Sequence, residues 1–436
     1  MLDLILKNGL CYVDGKLENL DIGIKNSKIS EIGSLNKENS KEIFDAKNLT
    51  VLPGCIDTQV HFREPGSTSA EDLNSGSRAA IVGGITSVFE MPNTNPQTSS
   101  KKEFYNKLKL AKNRMFCNYA FYFGATPNNC KELSELKDLE GCCGIKLFAG
   151  SSTGNLLVNK EEDIEKVFQN SSKIVSVHSE DEEVLSMRKK LIIKGEVKSH
   201  TVWRNEVCAI ASTRKIVNIG ERFKKKAHIL HVTTRDEVDF LSQHKGNVSF
   251  EITPQHLTLS SPECYEKLGT YAQMNPPIRE KIHQDRLWYA IKNNFVDIIG
   301  SDHAPHLKEN KEKTYPDSPS GMPGVQTLLP VMLNHLNEGK LKLEQLVKFL
   351  CENPADIFGI KNKGYIKKDY DADFTIVDLN KKIKITNDKI ESKCKWSPFD
   401  GYEFKGTPVA TIVNGEIKMK NGTIVGEPLG KPMNFI

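Results

Sequence analysis

The stretch GCIDTQVHFREPG, residues 54–66, sets Asp57, Gln59, His61 and Arg63 at alternate positions. In an extended chain alternate side chains share a face, so all four would point together from the end of one strand. A strand whose end carries a carboxylate, an imidazole and a guanidinium reads as one that opens onto a site. A metal centre there is expected to use histidine at both inner positions, yet the first is Gln59. Whether such a site works, is weakened or is lost depends on what the rest of the chain brings to it.

The same apolar-then-polar pattern recurs along the middle of the chain. It appears in TVLPGCIDTQVH (50–61), TSVFEMPN (86–93), NYAFYFGAT (118–126), CCGIKLFAG (142–150), KIVSVHSED (173–181), AHILHVTT (227–234), VSFEITPQH (248–256) and VDIIGSDHAPH (296–306). EDLNSGSRAAIVGG, KKEFYNKLKLAKNR and KEEDIEKVFQNSS between them have helical composition and spacing. Eight β-then-α units predict an α/β fold, a (β/α)8 TIM barrel. Seven strands finish in a polar residue: His61, Asn93, Lys146, His178, His231, His256 and Asp302. Strand ends of this fold converge on one mouth, which makes these distant residues neighbours.

The two ends read differently. Residues 2–33 and 364–425 alternate apolar and polar positions around Asn-Gly and Asp-Gly turns, the pattern of antiparallel strands. Neither end fills a sheet core alone, so both are expected to meet in one small composite β-sandwich. The domains are then 1–52, the N-terminal part of the sandwich; 53–361, the barrel; and 362–436, the C-terminal part.

Bulk properties narrow the function. The 436 residues carry a net charge of only +4, and no basic run suggests nucleic acid. The apolar run before Lys7 is too short for a signal peptide, and no segment reaches the roughly 18 apolar residues of a membrane span. Ten cysteines are scattered without a CxxC pair, which fits buried thiols in a reducing cytoplasm.

Among the strand-end residues, His61, His178 and His231 with Asp302 are the candidate metal ligands. Lys146, between Ile145 and Leu147, sits in a strand that should be buried, where an ammonium is costly. It either points outward or pairs with a carboxylate, or it is a neutral amine able to take up carbon dioxide as a carbamate. Arg63 offers either a salt bridge to Glu64 or a planar fork for a substrate carboxylate. Asn93 and Asn275 could each cap a turn beside the following prolines. His256 could reach the mouth or be structural; His303, next to Asp302, should face away. His200, His228, His244, His283 and His335 fall outside the pattern and read as surface or packing residues. The polar, Pro/Gly-rich stretch 306–324 is either a lid or a plain loop.

IDTQVHFREPG, FEMPNTNP, GIKLFAGSSTGN, VHSEDE, LHVTT, MNPPIR and GSDHAPH, in this order, resemble the dihydroorotases of the amidohydrolase superfamily. With DADFTIVDL and VNGEIKMKNG the resemblance covers essentially the whole chain. It implies a zinc-bearing barrel that reversibly cyclises N-carbamoyl-L-aspartate to L-dihydroorotate in pyrimidine (UMP) biosynthesis. It also implies His61, Lys146 as an N6-carboxylated bridge, His178, His231 and Asp302 as zinc ligands, with Asp302 as the acid/base for the metal-activated water. Arg63, Asn93 and His306 would hold the substrate carboxylate, and Asn275 would contact the ring. GMPGVQT, 321–327, would line the ring with backbone groups.

The implied partners are the small-molecule substrate and a homodimer or larger homo-oligomer, with association to other pyrimidine enzymes left open; neither nucleic acid nor membrane is implied. Two rivals stand beside this reading. A dihydropyrimidinase, hydantoinase or allantoinase would share fold and metals but has no ring carboxylate to grip. A catalytically silent scaffold is suggested by Gln59 alone. With Gln59 the outer metal keeps His61, Lys146 and Asp302, and the inner keeps Lys146, His178 and His231, so one or two Zn2+ ions are expected, the outer one weaker.

Overall fold

The computed structural model describes residues 1–36, 40–152 and 156–436. Thr153 to Asn155, the end of the GIKLFAGSSTGN motif, and residues 37–39 of the N-terminal part therefore lie outside the described residues.

Five strands open the chain: β1 (Leu2–Val13), β2 (Lys16–Lys25), β3 (Lys28–Gly33), β4 (Ser40–Asp45) and β5 (Thr50–Pro53). Then come the barrel strands β6 (Cys55–Val60), β7 (Ile85–Glu90), β8 (Asn118–Gly124), β9 (Cys142–Phe148), β10 (Val175–His178), β11 (Ala227–Ile229), β12 (Val248–Ile252) and β13 (Ile298–Ile299). The chain closes with β14 (Phe374–Lys384), β15 (Glu403–Val413), β16 (Glu416–Lys420) and β17 (Thr423–Ile424).

The eight barrel strands are all parallel and lie in sequence order from β6 to β13. The seam is closed by a bridge between Val60 and His303, where the His61 N–H donates to the His303 carbonyl at 2.7 Å. Helices such as Leu73–Val82, Lys101–Ala111, Glu161–Asn170 and Glu206–Phe223 cover the outside. The inside is filled toward the bottom by Ile56, Phe89, Tyr122, Cys143 and Ile298, with Phe358 and Met433 sealing it from below. This is the predicted (β/α)8 barrel.

The ends join as expected. β5 pairs antiparallel with β14, so N- and C-terminal strands form one nine-stranded sheet around Leu4, Ile22, Ile24, Val51, Phe374, Ile376 and Ile412. Asp14-Gly15, Asn414-Gly415 and Asn421-Gly422 are hairpin turns with positive φ at both residues. Asn8-Gly9 is not: it lies inside β1, where the register shifts between Leu6 and Gly9, because β1 continues past a bulge.

Several sequence boundaries shift. TVLPGCIDTQVH is two strands, not one. Gly54 divides them, and a side chain there would press within 2.4 Å of Thr86 Oγ1. β11 and β13 are shorter than their apolar runs, so His231 and Asp302 stand beyond the ladder. TPQH is helical rather than strand: Thr253 caps the helix Pro254–Thr258, which carries His256.

Outside the barrel, the β14–β15 connection reaches over the mouth. Its Trp396 and Phe399 pack with Tyr265, Met274 and Met322, and the Trp396 indole N–H donates to the His306 carbonyl at 2.8 Å.

Candidate active site

At the C-terminal ends of the barrel strands a cavity of about 20 Å³ is lined by Gln59, His61, Arg63, Asn93, Lys146, His178, His231, Asn275 and Asp302, with Ser152, Ser320 and Gly321 on its rim. Every predicted site residue except His306 is on that wall. A larger cavity of about 770 Å³ lies on the opposite face, among Lys137, Lys173, Lys361 and Lys431, and holds none of them.

The backbone at the mouth is held in an unusual state. Arg63 (φ 61), His231 (φ 37) and Asp302 (φ 44) adopt positive φ, whereas most other non-glycine residues doing so are turn Asn or Asp. Such strain persists only where surrounding contacts enforce it.

The inner half is built from β10 and the turn after β11. His178 Nδ1 and His231 Nε2 face each other at 3.0 Å. The other nitrogen of His178, Nε2, bonds Glu180 Oε2 at 2.9 Å, while His231 Nδ1 has no hydrogen-bond partner among the described residues. Burial lowers both imidazoles below their ordinary value, so both are neutral near pH 7. Glu180 is held well below the usual carboxylate range against its own burial, chiefly by Arg204 and then His178, and stays anionic.

The outer half is built from β6 and the segment after β13. His61 Nδ1 bonds Asn93 Oδ1 at 2.9 Å, and its Nε2 lies 3.3 Å from Asp302 Oδ1. Gln59 Nε2 donates to the same Asp302 oxygen at 3.0 Å, and Gln59 Oε1, fully enclosed, has no partner among the described residues. Burial pushes the Asp302 carboxyl up to about 7, opposed first by Lys146 and then by His178.

Lys146 stands between the halves in its electrostatics, acting on His61, His178, His231 and Asp302. It does not point outward, and among the described residues it makes no salt bridge: it is 1% exposed, with Nζ 4.5 Å from the Phe148 ring. Burial lowers its ammonium to about 7, opposed by Asp302 and Glu251.

The Arg63 guanidinium turns inward. Nε donates to the Pro305 carbonyl at 3.3 Å and Nη2 lies 3.4 Å from His306 Nε2. Glu64 pairs instead with Arg114 at 2.8 Å, so the Arg63–Glu64 bridge is not formed. His306 Nε2 donates to the Ser320 carbonyl at 3.0 Å. Asn275 Oδ1 accepts from His200 Nε2 at 2.9 Å. Gly321 reaches the cavity, but the Gly324 and Val325 N–H groups are spent on His303 Nδ1 at 3.0 and 3.4 Å. Those two N–H groups are therefore not free to face a ligand. Within 306–324, Lys311 Nζ ties the segment down by donating to the carbonyls of Gln273, Pro319 and Gly321.

Three further histidines pack away from the cavity, one of the two readings the sequence left for each. His256 is structural, bonding Thr253 Oγ1 at 2.8 Å and the Pro276 carbonyl at 3.1 Å. His200 is buried behind Asn275, and His228 lies inside the barrel against Ser249 and Glu251. Glu180 and Arg204 were not singled out at all, although Glu180 stands two residues from His178 in VHSED.

Among the described residues no three His, Cys, Asp or Glu side chains form a preformed metal cage. They come as two pairs, His178 with His231 and His61 with Asp302. The inner pair nonetheless fits a metal: its two nitrogens are 3.0 Å apart, close to the roughly 3.3 Å between ligands on tetrahedral zinc with bonds of about 2.0–2.1 Å. Among the described residues neither pair is completed by a third His, Cys, Asp or Glu, and Lys146 lines the same cavity as both.

Comparison with known proteins gives a consistent result. The amidohydrolase family model matches residues 50–418. The chain is 34% identical over 432 residues to a dihydroorotase of Methanosphaera stadtmanae, covering 96% of each. It is likewise 34% identical over 432 residues to a dihydroorotase of Pyrococcus abyssi, covering 99% of this chain and 98% of that protein. Among solved structures it resembles an L-hydantoinase (dihydropyrimidinase) from Arthrobacter aurescens, with TM-score 0.93, 29% identity and 98% of each chain covered.

Proposed function

The chain belongs to the amidohydrolase family and within it to the dihydroorotases, and from that premise we propose how its barrel mouth interconverts N-carbamoyl-L-aspartate and L-dihydroorotate. The enzyme is a hydrolase acting on a cyclic amide, and its direction of use in pyrimidine synthesis is ring closure with loss of water.

In this reading His178, His231 and Lys146 would hold an inner zinc, and His61, Asp302 and Lys146 an outer one, with Lys146 N6-carboxylated. When bound, the metal supplies a polarised carbonyl and a water nucleophile available near neutral pH. The chain's own groups do the rest. Arg63, with Asn93 and His306 beside it, grips the substrate carboxylate and sets the reacting amide against the metal pairs. Asp302, whose carboxyl burial raises to about 7, takes a proton from the attacking water and delivers it to the ring nitrogen in hydrolysis, and in ring closure takes it from the carbamoyl nitrogen and gives it to the departing water. Gln59 occupies Asp302 Oδ1, which leaves Oδ2 for that proton. Asn93 accepts from His61 Nδ1, which turns the lone pair of Nε2 toward Asp302. The buried amine of Lys146, neutral above about pH 7, is the form that takes up carbon dioxide.

The observation that carries the substrate choice is the inward turn of Arg63 to within 3.4 Å of His306 while Glu64 is engaged by Arg114. A ring without a carboxylate leaves this grip unused. Purified enzyme is therefore expected to cyclise carbamoyl aspartate and hydrolyse dihydroorotate far faster than dihydrouracil, hydantoin or allantoin. The reverse preference refutes the assignment, and protein with no activity on any of them supports a silent scaffold. The cytoplasmic location, the homo-oligomer and the three-part domain division at residues 52 and 361 belong to the same proposal.

A further inference from the structure

One charged side chain at the mouth has no part in the reaction as described. Arg204 lies between the helices Ser199–Trp203 and Glu206–Phe223 and is only 2% exposed. A guanidinium is buried at high cost unless its donors are matched. Here Nε donates to both oxygens of Glu180 at 3.1 and 3.2 Å, and Nη2 donates to Glu180 Oε2 as well. The second hydrogen of Nη2 reaches the Ser151 carbonyl at 2.7 Å.

Both acceptors lead to the cavity. Glu180 Oε2 also takes the hydrogen of His178 Nε2 at 2.9 Å. An imidazole that donates from one nitrogen presents the other as a lone pair, so this bond turns Nδ1 of His178 toward His231. Ser151 follows Gly150, which passes so close to Glu180 that a side chain at 150 would meet the Glu180 carbonyl at 2.4 Å. Ser152, next along, is on the cavity wall.

We infer that Arg204 is a positioning residue: its fork fixes the tautomer and orientation of His178 through Glu180 and holds the wall segment at Ser151 in register with it. A lysine has the charge but not the planar fork, and cannot make both sets of bonds. The inference rests on the reading of His178 as a metal ligand.

Arg204→Lys and Glu180→Gln test it together, with thermal unfolding of the metal-free proteins as the check on folding. In folded variants metal retention against a graded chelator should fall about 10–100-fold, as for other carboxylates behind a ligating histidine. KM for dihydroorotate should rise more in Arg204→Lys, which also loosens Ser151, than in Glu180→Gln. Histidine-selective ¹⁵N NMR of the native holoenzyme should give His178 the Nε2–H tautomer, a readout that needs no variant. Variants that fold and hold metal as the native protein does, or an Nδ1–H tautomer at His178, overturn the inference. Native protein that binds no metal defeats the metal reading itself, a distinct outcome.

Discussion

Around His178 the polar atoms are tied back through Glu180 to a buried arginine, whereas around His61 the supports are the neutral amides of Asn93 and Gln59. The inner pair thus has its ring geometry set by charged groups that have few alternatives. The outer pair shares Asp302 with Gln59, and its carboxyl is raised to about 7, within reach of both protonation states. The difference teaches that, on the proposed reading, the two halves suit different tasks: the inner one would hold a metal firmly, and the outer one would leave a carboxyl free to exchange a proton. Gln59 is then no defect. It donates to Asp302, the acid/base of the proposed reaction.

The comparison is broken most completely at Lys146, which serves both halves. Lys146→Ala should abolish cyclisation and empty both metal positions, seen as lost turnover and near-zero zinc by elemental analysis. Active Lys146→Ala would end the carbamate reading. The same residue sets a pH dependence. Burial lowers the ammonium to about 7, so the neutral amine gains as pH rises through that value. Reactivation of demetallated enzyme by zinc and bicarbonate should accelerate between about pH 6 and 8 and level off above. Acceleration that begins only near the ordinary lysine value, about 10.4, would contradict this.

Asp302→Asn separates the halves. It should cost about 10²–10⁴ in kcat, the usual worth of a general acid/base, while the inner metal stays in place. A loss of both metals together would mean the halves are one unit. Arg63→Lys should act on neither: it keeps charge, loses the fork, and raises KM about 10–100-fold with a smaller change in kcat, as expected for charged hydrogen bonds of about 1.5–3 kcal/mol. A kcat loss without a KM change would move Arg63 out of the substrate grip.

Much of this architecture was legible in the sequence, for reasons that also explain what was not. The barrel strands are near-continuous apolar runs, so their number and order could be counted. Their ends could not: His231 and Asp302 follow apolar stretches but lie past the ladder, in strained turns that composition does not reveal. TPQH read as a strand end because alternation does not register Thr253 as a helix cap. The strand-end pattern marks His61, Lys146, His178 and Asp302 but carries no signal for Arg204, which reaches Glu180 from a connection between two helices. His303 faces away from the cavity, as its place directly after Asp302 implies, and engages the amides of the 321–327 loop.

The most direct test of the unequal halves is anomalous scattering at the zinc edge from crystals of the native enzyme, before and after mild chelation. The account predicts that the peak between His178 and His231 survives after any peak beside His61 and Asp302 has gone. Equal loss of the two, or survival of the outer peak alone, would contradict it.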